Sequence, residues 1–394
     1  MSKGRPSSYS RRTALRLGGR IAATGVVGGL AAKGIWDATA PATASGDEQA
    51  SAVRIGYLPI TDASALLVAH EKGFLAEQGI SSADPVMFRS WEALAQALAI
   101  GEIDVAHVLM PLAVQLRLDK RIPLKVIGWG HVNGSALTVA NQIGGIAELA
   151  GSTVAIPYWW SIHNVVLQRL LIANGLTAVI RGAPAASKGT VQLAVMAPAD
   201  MVPALAGGQV SGFVVADPFS AVAEAKGVGK VARFLGDVWK EHACCAVVLR
   251  EDLIDSAPEK AQAVATAVVK AQGWIEQNRP GMGALLGDGK YLPQPATAVQ
   301  RVFSREATEY AGVTRHAAWH GERIGFSALP LASYTSALVQ AMRDTQIDGD
   351  SAFVQGVSGE EVHQQLVDDR YVRQALGGGA IPADKLSRQE LIEP

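Results

Sequence analysis

Two stretches of this sequence repeat the same order of a short apolar strand, a proline and a helix. In the first, residues 53–58 alternate as a strand does, and Pro59 ends the alternation. In the second, the strand at residues 153–156 also ends at a proline, and a helix is predicted over residues 162–173. Strands that alternate with helices form parallel sheets, so the sequence predicts an α/β fold with parallel-rich sheets.

The chain is long enough for more than one domain. It has 394 residues, of which 49% are hydrophobic, and domains of 100–200 residues are usual. From residue 258 onward the pattern predicts mostly helices, over residues 258–277, 295–310 and 330–344. Two α/β lobes with a helical C-terminal extension would enclose a single cleft, because ligands of such sheets bind beyond the carboxyl ends of the strands.

The N-terminal segment has the features of an export signal. Arg11 and Arg12 precede a weakly apolar stretch at residues 21–30, and Ala42-Thr43-Ala44 gives a small-x-small cleavage pattern. The apolar stretch is shorter than the roughly 20 residues that span a bilayer. Residues 1–44 are therefore predicted to be a twin-arginine signal peptide. No cysteine lies near the cleavage pattern, so no lipoprotein anchor is expected. The alternative is a basic tail with a chance arginine pair.

The charge balance argues against nucleic acid as a partner. The chain has 35 Lys and Arg residues against 36 Asp and Glu residues, with a net charge of -1. Proteins that bind the phosphate backbone carry a basic excess. Signatures of common enzymes are also missing, because the sequence has no G-x-S-x-G, no phosphate-binding glycine loop and no H-E-x-x-H motif.

Several sequence stretches resemble one group of solute-binding proteins. They occur at residues 55–62 (IGYLPITD), 70–74 (HEKGF), 90–91 (SW), 101–107 (GEIDVAH), 109–111 (LMP) and 133–138 (NGSALT). In order and spacing these stretches are similar to the nitrate- and bicarbonate-binding proteins of the NMT1-like group, which also holds sulfonate and thiamine-precursor binders. A weaker likeness continues to about residue 280.

The resemblance implies a type II periplasmic-binding fold, whose two lobes close on a ligand by hinge motion. Lobe 1 would hold residues 53–138 and 240–394, and lobe 2 would hold residues 139–239. The chain would be an exported, non-enzymatic component of an ABC importer that binds a small oxyanion, sulfonate or related molecule without a cofactor. Its partner would be the transporter permease, through which it would be peripheral to the membrane.

The same resemblance, together with the predicted elements, names candidate ligand-binding residues. They are Asp62, Ala63, Ser64, Trp91, Met110 and Ser135 from the first part of the chain, and Trp159, His163, Asp217, Cys244 and Cys245 from the second. Each has an ordinary structural alternative. Asp62 and Asp217 could cap helices, Trp91 could be a core residue, and His163 could lie at a solvated helix start.

Cys244 and Cys245 are adjacent and are the only two cysteines in the chain. They replace the stretch in which the nitrate and bicarbonate binders carry a basic residue, which weakens the case for nitrate. Three interpretations remain open. The pair could form a vicinal disulfide, it could bind a soft metal with His242 and His163, or it could be buried without chemistry.

Two other functions compete with solute import. One is a protein similar to thiamine-pyrimidine synthases, or another metal-binding protein, that uses Cys244 and Cys245. The other is a sensory binding protein that presents its ligand to a membrane receptor, which the sequence does not separate from an importer component.

Overall fold

The computed structural model describes residues 52–304, 309–316, 319, 322–379, 381 and 388–394. The predicted signal peptide at residues 1–44 lies outside the described residues. The strands are β1 (Ile55–Tyr57), β2 (Val86–Met87), β3 (Val105–Leu109), β4 (Leu124–Trp129), β5 (Val132–Asn133), β6 (Ser135–Val139), β7 (Thr153–Ile156), β8 (Thr177–Val179), β9 (Thr190–Val195), β10 (Gly212–Ala216), β11 (Lys230–Phe234), β12 (Cys245–Arg250) and β13 (Ile324–Gly325).

The helices lie mostly between the strands in the first half of the chain and follow one another in the second half. They are α1 (Ser64–Glu71), α2 (Trp91–Ala99), α3 (Met110–Leu118), α4 (Ile162–Ala173), α5 (Pro198–Ala206), α6 (Phe219–Ala225), α7 (Glu251–Ser256), α8 (Pro258–Gln277), α9 (Met282–Leu286), α10 (Ala296–Phe303), α11 (Ala332–Arg343), α12 (Ala352–Gln355), α13 (Gly359–Leu366) and α14 (Arg370–Ala375).

The strands form two main sheets, which confirms the predicted α/β fold class. Sheet 1 has the order β2-β1-β3-β12-β4, and sheet 2 has the order β11-β6-β10-β7-β9-β8. Most neighbours are parallel, but β12 is antiparallel to β3 and β4, and β6 is antiparallel to β10 and β11. The short strands β5 and β13 pair separately. Helix α8 packs against α1 and α14 of the sheet 1 side.

The chain passes between the two sheets twice. Strands β4 and β12 belong to sheet 1, while β6 to β11 belong to sheet 2. The first crossing is therefore residues 130–134 and the second is residues 235–244. The predicted lobe boundary at residues 138/139 falls near the end of β6 (Ser135–Val139), so the chain leaves sheet 1 a few residues earlier than that. The boundary predicted near residue 239 falls inside the second crossing.

Asn133 and Gly134 explain the position of the first crossing. An Asn-Gly pair is typical of a tight turn between consecutive strands. Instead, both residues have positive φ angles, 62° for Asn133 and 84° for Gly134, and the chain leaves one sheet here for the other. Asparagine and glycine are the residues that adopt this left-handed backbone most readily.

Backbone hydrogen bonds join the first crossing to the rest of the protein. Gly130 N–H donates to the carbonyl of Cys245 at 3.0 Å, and Asn133 N–H donates to the carbonyl of His242 at 2.9 Å. In return, the carbonyl of Gly134 accepts from Asp217 N–H at 2.8 Å. The two crossings are thus bonded side by side, next to the start of β12.

Several predicted elements are confirmed and others differ in length. Helices α4 and α8 have the predicted bounds, whereas α10 ends at Phe303, seven residues before the predicted end at residue 310. The first helix begins with a 3-10 turn at Thr61–Ala63, and the Asp62 side chain does not cap it. No helix in the described part of the chain combines the length and apolar character needed to cross a membrane.

Candidate functional site

Six polar side chains meet where the two crossings join the sheets, and each is at most 1% exposed. We call them the interlobe cluster: Asp62, His131, Ser135, His163, Cys244 and Cys245. They come from the turn after β1, the first crossing, the first residue of β6, the first turn of α4 and the start of β12. Polar groups are buried together in this way at a cost, so such a cluster points to a function.

On the sheet 1 side, Asp62 is the central residue. Its Oδ2 atom lies 3.0 Å from His131 Nε2, and both side chains are fully buried. The Cys245 thiol donates to the same oxygen, with Sγ at 3.3 Å. Asp62 Oδ1 and both ring nitrogens of His131 lack an aligned hydrogen-bond partner. The His131 ring and the carboxylate are therefore in contact without the alignment of a hydrogen bond.

On the sheet 2 side, Ser135 and His163 form a direct pair, with Ser135 Oγ 2.9 Å from His163 Nε2. Cys244 lies against both, with Sγ 3.8 Å from Ser135 Oγ and 3.9 Å from His163 Nε2. The Sγ atoms of Cys244 and Cys245 are 3.9 Å apart, and both cysteines are free thiols. Cys244 thus contacts sheet 2 residues, while Cys245 contacts Asp62.

Burial and mutual contact set the charges of Asp62 and His131. Burial raises the pKa of Asp62 to about 6, although His131 opposes that rise. Burial alone would lower the pKa of His131, but the Asp62 carboxylate outweighs this effect and raises it to about 10. At neutral pH the pair is therefore a carboxylate beside an imidazolium.

The two cysteine thiols differ in acidity although they are neighbours. Burial disfavours the Cys244 thiolate, but the Cys245 thiol and His163 stabilise it, and the pKa of Cys244 falls well below its usual range. Burial and the neighbouring Cys244 sulfur raise the pKa of Cys245 well above its usual range. Of the two sulfurs, Cys244 therefore loses its proton more readily than Cys245.

Local structure explains how His163 reaches the cluster. Ser161 caps α4, and its Oγ accepts from Asn164 N–H at 3.1 Å. Serine is a favoured residue at this position because its oxygen satisfies a free N–H group of the first turn. The cap fixes the start of the helix and so the direction of the His163 side chain.

Asp217 belongs to a different set of contacts. Its carboxylate accepts from Ser220 Oγ and lies 3.4 Å from Arg323 Nη1. Its backbone approaches the site, because its carbonyl accepts from Thr61 N–H at 2.9 Å and its N–H donates to the Gly134 carbonyl at 2.8 Å. The Asp217 side chain is therefore engaged by Arg323 and is not a member of the interlobe cluster.

The remaining predicted residues have no described hydrogen bond to the side chains of the cluster. Trp91 is 1% exposed and packs edge-on against His107 at 5.6 Å between ring centroids. Ser64 Oγ donates to the Thr61 carbonyl, Ala63 is buried, and Met110 N–H donates to the Cys244 carbonyl at 2.9 Å. Trp159 is half-buried.

His131 is the member of the cluster that the sequence did not suggest. No motif marks it. It follows an apolar strand, with Gly130 directly before it and Gly134 three positions after it. A histidine just beyond the carboxyl end of a buried strand was the available signal, because ligands of α/β sheets bind at that edge. A Cβ atom at Gly134 would lie 3.1 Å from the His131 ring.

Four members of the cluster have the donor atoms of a metal site. Ligand-type atoms of Asp62, His131, Cys244 and Cys245 all lie within 4.8 Å of one another. The sequence had suggested His242 as a ligand beside the cysteines. Its Nδ1 atom instead lies 2.8 Å from the Trp239 carbonyl, and burial lowers the pKa of His242 to about 4. The structure places His131 and Asp62 beside the thiols in its stead.

The Ser135–His163 pair has the spacing of a nucleophile and its base. In catalytic triads, however, a third group orients the histidine through its other nitrogen. His163 Nδ1 has no hydrogen-bond partner among the described residues. The pair is therefore a hydrogen-bonding surface rather than the start of an acyl-transfer site.

Comparison with known proteins identifies the family to which the chain belongs. A model of the NMT1-like family matches residues 46–283. The nitrate/nitrite binding protein NrtA of Nostoc sp. strain PCC 7120 is 27% identical over 262 residues, which cover 61% of this chain and 58% of that protein. The chain thus spans 58% of the length of this curated relative.

Solved structures share the fold. The periplasmic nitrate-binding protein NrtA of Synechocystis PCC 6803 superimposes with a TM-score of 0.73 at 21% identity, covering 86% of this chain and 91% of that one. A ligand-binding component of an ABC-type import system from Staphylococcus aureus, solved with zinc bound, gives 0.65 at 22% identity, covering 82% and 99%.

Proposed function

This chain belongs to the NMT1-like family, and from that premise we propose that it is the extracytoplasmic solute-binding component of an ABC importer. The observation that carries the proposal is the interlobe cluster, whose six buried polar side chains come from both sheets and from the crossing between them. A binding protein of this kind encloses a small solute and presents it to the permease.

Hinge closure follows from the two crossings. Residues 130–134 and 235–244 are the two direct links between sheet 1 and sheet 2. A rotation about these links would separate Ser135 and His163 from Asp62 and Cys245, which opens the cluster to solvent. The lobes we propose are those of the sequence prediction, with the first boundary moved to the Asn133-Gly134 crossing.

The ligand predicted from the sequence is a small oxyanion, a sulfonate or a related molecule. Such an anion would bind through His131, His163 and Ser135, which can donate hydrogen bonds. It would also meet the Asp62 carboxylate. Among the described residues, no lysine or arginine forms a hydrogen bond or ion pair with the cluster. The charge of the His131 imidazolium is already balanced by Asp62, so an anion would lack an unbalanced cation to stabilise it.

The cellular setting is part of the proposal. Residues 1–44 would direct export through the twin-arginine route, and the exported chain would contact the membrane only through the permease. The periplasmic location named for the Synechocystis protein supports this setting. Nucleic acid is not a proposed partner, because the net charge is -1.

A retained solute tests the proposal. We would purify the exported chain from its own host and record its intact mass under native and denaturing conditions, beside a Ser135→Ala/His163→Ala double variant. We expect an additional small mass only in the native spectrum of the unsubstituted chain. Cells that lack the chain should also accumulate that solute more slowly. Equal native and denatured masses for both chains, with unchanged accumulation, would contradict the proposal.

A further inference from the structure

The donor atoms around Asp62 have the spacing of a tetrahedral metal site. With zinc–sulfur bonds of about 2.3 Å and zinc–nitrogen or zinc–oxygen bonds of about 2.0 Å, the edges of a tetrahedron are about 3.8 Å between two sulfurs, 3.5 Å between sulfur and oxygen, and 3.3 Å between nitrogen and oxygen. The corresponding separations here are 3.9 Å for Cys244–Cys245, 3.3 Å for Cys245–Asp62 and 3.0 Å for His131–Asp62.

The remaining separations also permit one central ion. All four donor atoms lie within 4.8 Å of one another. The longest separation joins a sulfur to a nitrogen or oxygen and exceeds the tetrahedral edge of about 3.5 Å by about 1.3 Å, which is within the reach of side-chain rotation. Cys244 and Cys245 have fixed positions at the start of β12, while His131 lies in the crossing and can follow the ion.

The contacts of Asp62 and His131 favour an ion over a simple ion pair. Their side chains touch at 3.0 Å, yet neither His131 nitrogen nor Asp62 Oδ1 has an aligned hydrogen-bond partner among the described residues. Buried polar atoms are nearly always hydrogen-bonded. Donor atoms that converge at contact distance without pairing are expected where they face a common third atom.

The donor types select the class of ion. Thiolates are soft ligands that favour zinc and copper over calcium or magnesium, and imidazole suits the same metals. A carboxylate as the fourth ligand is common for zinc, whose sites combine Cys, His and Asp. The Asp62 carboxylate and the two cysteines supply the negative charge that a divalent cation needs. The same groups would repel an anion.

We propose that the solute bound by the interlobe cluster is a thiophilic transition-metal ion of the zinc class, held by Asp62, His131, Cys244 and Cys245. This inference rests on the function proposed above and names its substrate class. Ser135 and His163, on the sheet 2 side of the site, then close over Cys244 and bury the ion. The two adjacent cysteines act as a chelating pair. This role explains why cysteines stand where the nitrate and bicarbonate binders carry a basic residue.

Metal titration of the purified chain tests the inference. The protein would be reduced, stripped of metal with a chelator, and titrated with Zn²⁺ against a chromophoric competitor, and with Co²⁺ as a spectroscopic probe. We expect one ion per chain. The Co²⁺ form should show the strong visible bands of a tetrahedral site and a near-ultraviolet sulfur-to-cobalt charge-transfer band. A site without thiolate ligands would lack that band.

Variants identify the ligands. Cys245→Ser should lower zinc affinity at least about 100-fold, which is more than the loss of an outer partner costs, and should weaken the charge-transfer band. Asp62→Asn keeps the shape of the side chain and should also lower affinity. His363→Gln is the matched control. His363 lies on α13 and bonds to Thr335 on α11, so this change should leave zinc binding unchanged. Urea unfolding in chelator confirms that each variant folds.

Parallel measurements separate this inference from the proposed function. Failure of the chain to bind Zn²⁺, or equal binding by Cys245→Ser, overturns the metal site. If nitrate, bicarbonate or methanesulfonate binds in the same calorimetric assay and Zn²⁺ does not, the inference falls and the import function stands. If Zn²⁺ binds in a one-to-one ratio while cells without the chain accumulate zinc normally, the site stands and the import function falls.

Discussion

Gly134 leaves space for the His131 ring because it has no side chain. Its φ angle of 84° suits glycine. An added Cβ would lie 3.1 Å from both Cε1 and Nδ1 of His131 and 3.5 Å from Asp62 Oδ1. A side chain here would therefore press on the His131–Asp62 contact as well as strain the backbone.

We expect Gly134→Ala to lower the free energy of unfolding by about 2 kcal/mol, because backbone strain and the contact with His131 add. The matched control is Gly208→Ala. Gly208 has a φ angle of 67° and no atom within 4 Å of an added Cβ, so only the strain of about 1 kcal/mol applies. Urea unfolding measures both. Equal losses would show that the His131 contact has no energetic role.

Residues of the candidate site differ in how far the sequence could reveal them. Asp62, Ser135 and His163 stand out because they fall in motifs of a known family, and the structure brings them together with the cysteines. His131 lies in no such motif. Its role depends on a tertiary contact with a residue 69 positions earlier, which no local pattern encodes.

Adjacent cysteines illustrate the same limit. Their sequence permits a disulfide, a metal site or simple burial. In the fold they are free thiols that face different partners, Cys244 toward His163 and Cys245 toward Asp62. The choice among the three interpretations depends on which polar groups the crossings place beside them.

At the scale of elements, helix α4 is positioned by its cap. Ser161 Oγ accepts from Asn164 N–H, and α13 has an equivalent cap, in which Ser358 Oγ accepts from Glu361 N–H at 3.1 Å. We expect Ser161→Ala and Ser358→Ala each to lower the free energy of unfolding by about 1 kcal/mol.

Only the first of these changes should affect binding, since α4 holds His163. Zinc titration beside urea unfolding checks this difference. A fall in affinity for Ser358→Ala as large as that for Ser161→Ala would mean that the effect comes from general instability and not from the direction of α4.

Arg323 joins the C-terminal part of the chain to α6. Its side chain is 2% exposed and lies 3.4 Å from Asp217 and 2.6 Å from Glu224. Arg323→Met would leave the fully buried Asp217 carboxylate without its cation, while Glu224 would keep Arg301 at 3.6 Å. We expect a loss of about 3–5 kcal/mol in urea unfolding.

The control for Arg323 is a solvent-exposed ion pair with a similar nitrogen–oxygen distance. Arg181 lies 2.6 Å from Asp348, with side chains 83% and 41% exposed. Arg181→Met should cost less than about 1 kcal/mol, because solvent screens such pairs. A small effect for Arg323→Met would mean that water reaches the Asp217 site and replaces the guanidinium.

At the scale of the whole molecule, the family match confirms the resemblance found in the sequence, and the solved structures confirm the predicted periplasmic-binding fold. The α/β class and helices α4 and α8 were predictable because their patterns are local. The position of β12 between β3 and β4 in sheet 1 was not predictable, since β12 pairs with strands about a hundred residues or more away.

Closure of the lobes predicts a specific pattern of hydrogen exchange. Zn²⁺ at about 100 times its Kd stabilises the closed form by about 2.7 kcal/mol, so amides that exchange through opening should slow by up to about 100-fold. We expect this protection at residues 130–134 and 235–244. The Cys245→Ser chain should show no change. Protection confined to other segments would contradict hinge motion at the crossings.

The place of β12 between β3 and β4 also sets an order of assembly. Sheet 2 draws all its strands from the continuous stretch between β6 and β11 and can form as soon as that stretch is synthesised. In the order of sheet 1, β12 is the sole neighbour of β4. Strand β4 therefore cannot pair within this sheet until all of lobe 2 has been synthesised. Cys244 and Cys245 arrive with that last strand. The ribosome therefore delivers the thiols of the site only when every other member of the interlobe cluster has already been made.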